Sequence, residues 1–185
     1  EALCEETSFG DRVAALDFLE FDVLERVEGL LLTDGRHEEL LALRRYAERV
    51  QMQLEGVDEN LFQRFRDGIA SRSFTGAQME RLLLKYAGSD SGEGSVGTVG
   101  YDTLDALTNG FLLTGAAPEE TRTREPEMVF YQPTPTRGVL ELVEKADFRP
   151  NDVFYDIGSG LGQVVILVHL LSRVRAKGVE FEPAF

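Results

Sequence analysis

Tryptophan is absent from this 185-residue sequence, cysteine occurs once and histidine twice. A lone Cys4 excludes an internal disulfide, and with only His37 and His169 beside it there is no Cys/His cluster to hold zinc, so no metal is expected. Basic residues are also short: 19 Lys and Arg face 33 Asp and Glu, a net charge of −14. The deficit sits in residues 1–120, with 11 cations against 24 anions, whereas residues 121–185 carry 8 against 9. A phosphate backbone is held by clustered cations, so the acidic part argues against a nucleic acid as its main partner; solubility is the simpler meaning of the charge. No apolar run reaches the roughly 20 residues of a membrane span. The longest apolar-rich run, 164–171, falls well short, so no membrane association is expected. The chain begins at Glu1 rather than Met, as a processed or trimmed N-terminus would, without the basic start and apolar core of a signal peptide. A cytoplasmic setting is the default expectation. With 43% apolar and 28% charged residues, a packed core is feasible and global disorder is not expected.

What is present is helical periodicity first. Val13, Leu16, Leu19, Val23, Val27 and Leu30 to Leu32 form an apolar stripe ending at Thr33-Asp34-Gly35, which predicts one helix. A second is expected from about Glu38 to Leu54 with Gly56 as its stop, and a third from an Asp58 cap through Leu61, Phe65 and Ile69. Thr75 and Gln78 make a capping-box pattern ahead of Met79, Leu82, Leu83 and Tyr86, with Gly88 closing a fourth helix. Residues 89–100 are rich in Gly and Ser without apolar periodicity and read as a flexible loop; a short helix over 101–108 follows, ending at Asn109-Gly110. A polar crossing at 118–127 suggests a boundary, giving a helical N-terminal domain over 1–120 and a second unit over 121–185.

In the second unit the pattern changes. An extended Tyr131-Gln132-Pro133-Thr134-Pro135 leads to a helix over 136–146, a strand over Val153 to Ile157, a glycine loop from Gly158 to Gly162, a helix over 163–173 and a strand over Lys177 to Glu182. This is a β-α-β unit, the building block of parallel sheets. Glycines at 158, 160 and 162 allow a tight turn and a close backbone approach to a ligand, and the helix behind them offers free N–H groups. Glu180 lies 22 residues after Gly158. That is near the offset of about 20 at which an acidic side chain meets ribose hydroxyls in such folds. A dinucleotide oxidoreductase would carry its third glycine at 163, where this chain has Gln163, so the spacing G-x-G-x-G disfavours nicotinamide chemistry.

The run DIGSGLG resembles the first motif of class I S-adenosylmethionine-dependent methyltransferases, and Gly178-Val179-Glu180 resembles their acidic ribose-binding position. The wider run DIGSGLGQVV, with GVE after it, most closely resembles the disruptor-of-telomeric-silencing family of histone lysine methyltransferases. This similarity covers about residues 128–182. It implies an α/β Rossmann-like methyltransferase fold, of which only the start of the parallel sheet is present, behind a mainly α-helical N-terminal domain. It implies S-adenosyl-L-methionine as cofactor. Gly158, Ser159, Gly160 and Gly162 would surround its aminoacyl and ribose parts, Asp156 would fix the amino end, and Glu180 would accept from the ribose hydroxyls. Gln163 would contact the cofactor or orient the loop. Tyr131 and Thr134 would touch the methionine part, although two prolines in that segment equally explain a stiff connector.

Methyl transfer from a sulfonium is a direct displacement, so alignment and water exclusion matter more than a covalent nucleophile. A nitrogen acceptor must still lose a proton. No residue here is identified as the base that takes it. His169, on an apolar background, reads as a packing residue and His37 as a surface residue. The family's sheet continues well beyond the second strand, so 121–185 is expected to be a truncated N-terminal part of the cofactor domain. The methyl acceptor is expected to be a protein, with lysine as one candidate position, or a small molecule. The alternative is a helical protein-interaction or regulatory domain on a degenerate methyltransferase core.

Overall fold

The structure, a computed structural model, describes residues 2–5, 8–33, 36–87, 102–113, 115, 117–123 and 131–185. The Gly/Ser segment at 89–100, the turn residues 34 and 35, Gly88, Tyr101 and the 124–130 part of the polar crossing lie outside them. The described chain is mainly helical with one small parallel sheet. After a 3-10 turn (Ala2–Cys4) come α1 (Phe9–Asp17), a π-helical segment (Phe18–Leu24), α2 (Glu25–Leu31), α3 (His37–Ala70), α4 (Ala77–Ala87), α5 (Thr103–Leu112), α6 (Thr136–Ala146), β1 (Val153–Ile157), α7 (Gln163–Ser172) and β2 (Arg175–Val179). The single helix expected over 13–32 is thus three contiguous segments. No helix among the described residues is long and apolar enough to cross a membrane.

The two helices expected over 38–54 and 58–69 are one, α3, of 34 residues. Gly56 is exposed and costs a helix only about 1 kcal/mol relative to Ala. Burial of Leu54 and Leu61 on either side of it contributes about 1.5–3 kcal/mol each and wins. Leu40, Ala47, Leu54, Leu61 and Gly68 are all buried, a seven-residue repeat that keeps one stripe of α3 facing its neighbours. Asp58 does not cap a new helix. It is buried and accepts from Arg12 Nε at 2.6 Å, and Arg12 has no solvent exposure.

Two other boundaries move. The helix expected over 101–108 starts at a complete capping box, with Asp102 accepting from Leu104 and Asp105 N–H and Asp105 accepting from Asp102 N–H, and it runs on through Asn109 and Gly110. Helix α4 starts after Gly76 (φ 60°), whose carbonyl accepts from Glu80 N–H, so Gly76 rather than Thr75 stands at the cap position. Gly76 N–H also bonds the Leu170 carbonyl at 2.6 Å, tying this start to the end of α7.

Strands β1 and β2 pair in parallel with Asp156 opposite Gly178 and Ile157 opposite Val179. The second strand was expected over 177–182; it ends at Val179, which leaves Glu180 in the turn beyond it. His169 is exposed rather than packed, its Nδ1 2.7 Å from the Val174 carbonyl at the end of α7. One buried apolar cluster runs from Phe9, Leu61 and Phe65 through Met79, Leu83, Leu104 and Phe111 to Val139, Leu167 and Val168. At its centre the Phe65 and Phe111 rings stack at 4.8 Å.

Candidate functional site

The site forms where β1 and β2 end together. Gly158, Gly160 and Gly162 have φ of 84°, 50° and 79°, the left-handed region in which a Cβ is strained, so the loop needs all three. Gly158 N–H bonds the Val179 carbonyl at 2.7 Å, and Gly162 N–H bonds the Ser159 carbonyl at 2.9 Å before α7 begins. A side chain at Gly160 would meet the Tyr131 ring at 2.3 Å, so the space left by this glycine is taken by Tyr131. At Gly178 a Cβ would meet Ser159 Oγ at 2.5 Å: Ser159 closes down on β2.

Glu180 holds the loop from the other side. Its Oε2 accepts Gly160 N–H at 2.7 Å, and its Oε1 accepts Phe181 and Glu182 N–H at 2.6 and 2.8 Å. Backbone donation from Glu182, and then from Gly160 and Phe181, holds Glu180 below the usual carboxylate pKa although burial opposes it. Asp156 moves the other way, raised by burial and then by the Glu180 charge. Glu182 is buried, which works against its charge, yet the Thr121 hydroxyl and the N–H groups of Ala184, Arg122 and Thr121 bring it down to about 2. The Thr121 hydroxyl donates to it at 2.5 Å and Arg122 N–H at 2.8 Å, so the polar crossing is tied to the end of β2; the Arg122 guanidinium also lies 4.5 Å from the Phe181 ring.

The opposite wall is the segment 131–135, placed by α5. Asp105 Oδ1 accepts Thr136 N–H at 2.6 Å, Thr108 and Thr136 share a buried hydroxyl bond of 2.7 Å, and Arg137 pairs with Asp102. Tyr131 donates to Gln163 Oε1 at 2.6 Å and lies 5.1 Å from the Phe185 ring, while Gln163 Nε2 donates to Asn109. Burial raises the Tyr131 pKa, opposed by the Leu161 N–H.

Between these walls is a cavity of about 860 Å³. It brings together Tyr131, Thr134, Asp156, Gly158, Ser159, Gly160, Gln163 and Glu180. Gly162 does not line it and serves the turn into α7. Neither histidine is there. Sequence reasoning missed Glu182, Phe181 and Phe185 on the cavity wall and Asn109 behind it; a carboxylate two residues past Glu180 was the one available signal, and nothing marked Asn109. Among the described residues no group of three His, Cys, Asp or Glu is placed to hold a metal. The chemical offer is a concave, partly apolar cavity with the carboxylates of Asp156, Glu180 and Glu182 around the strand ends, a glycine turn and a helix N-terminus.

A glycine turn between parallel strands, with an acid at the end of the second, is the arrangement of a nucleotide-type ligand site. Residues 129–184 match the family model described as histone methylation protein DOT1. The match covers less than a third of the chain and contains both strands, α6, α7 and all nine residues singled out above. No curated protein and no solved structure matches the chain.

Proposed function

We propose that this chain carries the S-adenosylmethionine-binding part of a Rossmann-like methyltransferase that modifies a protein, with a histone lysine as the first acceptor to test. The observation that carries the reading is the union of the positive-φ glycine loop with Glu180 on one wall of a single cavity. The DOT1 match over this segment supports the same class and a protein as methyl acceptor. The residues fit the cofactor. The cavity is within the range of small-molecule sites, about 300–1,000 Å³. Glu180 has used three of a carboxylate's roughly four acceptor positions, leaving one on Oε2 for a ribose hydroxyl.

In this reading the cofactor supplies an electrophilic methyl group. The chain's own residues bind and orient: Glu180 holds a ribose hydroxyl, the loop at 158–160 backs the aminoacyl part, Asp156 faces the amino group, and Tyr131 and Thr134 close the wall and exclude water. The acidic helices of the N-terminal part serve as the cap on the acceptor side, where negative charge suits a basic protein tail.

Calorimetric titration with S-adenosylhomocysteine, with Glu180→Ala as control, tests cofactor binding. Micromolar binding lost in the variant is expected; no binding by the unaltered chain sinks the reading. Transfer of labelled methyl to histones but not to small amines then tests the acceptor class.

A further inference from the structure

The cavity wall is held by a residue that is not in the cavity. Asn109 stands in the last turn of α5, 54 positions from Gln163, and its Oδ1 accepts Gln163 Nε2. Gln163 is only 7% exposed, and the other end of its amide accepts the Tyr131 hydroxyl, 32 positions away. Both ends of one buried amide are therefore used, and turning it over would set its oxygen against Asn109 Oδ1, acceptor against acceptor. The direction along the chain follows from the groups that meet: an amide oxygen can only accept, so the phenol gives its proton to Gln163 Oε1, and Asn109 Oδ1 is the terminal acceptor. The Tyr131 ring, held this way, fills the space over Gly160.

We propose that Asn109 is a positioning residue for the cofactor cavity: by accepting from Gln163 it locks the Gln163 amide, and through it holds Tyr131 against the glycine loop. The inference rests on the cofactor reading for its consequence, not for its geometry. It makes α5 the common support of both walls, through Asp105 on Thr136 at one end and Asn109 on Gln163 at the other.

Two variants separate this role from simple packing. Asn109→Leu keeps a similar volume and removes the acceptor; Asn109→Asp keeps the acceptor. S-adenosylhomocysteine affinity is expected to fall about tenfold in Asn109→Leu, whose thermal midpoint should drop by a few degrees because the buried Gln163 Nε2 loses its acceptor, and to stay within about threefold of the unaltered chain in Asn109→Asp, whose midpoint should change less. A second readout needs no ligand. Ionisation of Tyr131, followed by ultraviolet difference titration and assigned by comparison with Tyr131→Phe, should move down by about half a pH unit in Asn109→Leu, because the phenol loses a fixed acceptor. An unmoved phenol overturns the positioning role whether or not the ligand binds. Unchanged ligand affinity in Asn109→Leu overturns it as well, and an Asn109→Asp as damaging as Asn109→Leu overturns the acceptor assignment. A moved phenol in a protein that never binds S-adenosylhomocysteine leaves the positioning role standing and sinks the cofactor reading instead.

Discussion

Glu180 Oε2 accepts the Gly160 N–H at 2.7 Å, so the end of β2 and the loop after β1 are one hydrogen-bonded unit. The carboxylate proposed to hold a ribose hydroxyl therefore also serves the fold. Glu180→Ala should weaken S-adenosylhomocysteine binding at least tenfold, since it removes both a ligand acceptor and the loop's brace. Glu180→Gln, which keeps one acceptor oxygen, should fall between. Calorimetry on the three proteins checks the order; equal affinities would remove Glu180 from the site.

Gly160 and Tyr131 share one space. Gly160→Ala should destabilise by roughly 2 kcal/mol, because a Cβ at φ 50° is strained and also meets the ring at 2.3 Å. In a Tyr131→Ala background the same substitution should lose about half of that effect, the strain alone remaining. Urea unfolding of the four proteins measures the coupling, and additive effects would show that the ring is free to move aside.

Glu182 governs the acid side of stability. Its pKa in the folded chain is about 2, below its usual value of 4.5. The unfolded chain therefore binds more protons between these values, and stability from this group is complete above about pH 4.5 and lost as pH falls toward 2. Glu182→Gln should be less stable than the unaltered chain at pH 6, and the difference should shrink steadily by pH 3. Denaturation midpoints across that range check it; a constant difference would assign the effect to packing rather than charge.

Arg12 and Asp58 form a buried pair joining α1 to α3. Asp58→Ala should cost about 3–5 kcal/mol, because Arg12 is left charged with no solvent exposure. The double change Arg12→Met with Asp58→Leu should recover part of the loss, since apolar groups of similar size need no partner, while the Leu3 and Glu5 carbonyls that Arg12 also serves lose their donor. Chemical unfolding decides, and a double variant as unstable as the single one would show that Arg12's bonds to the Leu3 and Glu5 carbonyls matter as much as its pairing with Asp58.

Local chemistry and tertiary chemistry divide along clear lines in this chain. Strand β1, helices α6 and α7 and the glycine loop were legible because each rests on a short-range rule: a strand-length apolar run, an amphipathic period, and glycines at positions that demand positive φ. The boundaries of α3 were not legible. Gly56 and Asp58 are ordinary local stop signals, overridden by a buried stripe and by an arginine 46 positions away.

The sequence by itself determined the β-α-β unit, the three glycines of the positive-φ turn and the acid after the second strand, since these depend on neighbours along the chain. The tertiary structure decided which side chains meet there. Tyr131 lies over Gly160, Thr121 reaches Glu182 and Asn109 holds Gln163 because buried polar groups must find partners wherever packing of the apolar cluster has brought them, and sequence spacing does not encode that meeting.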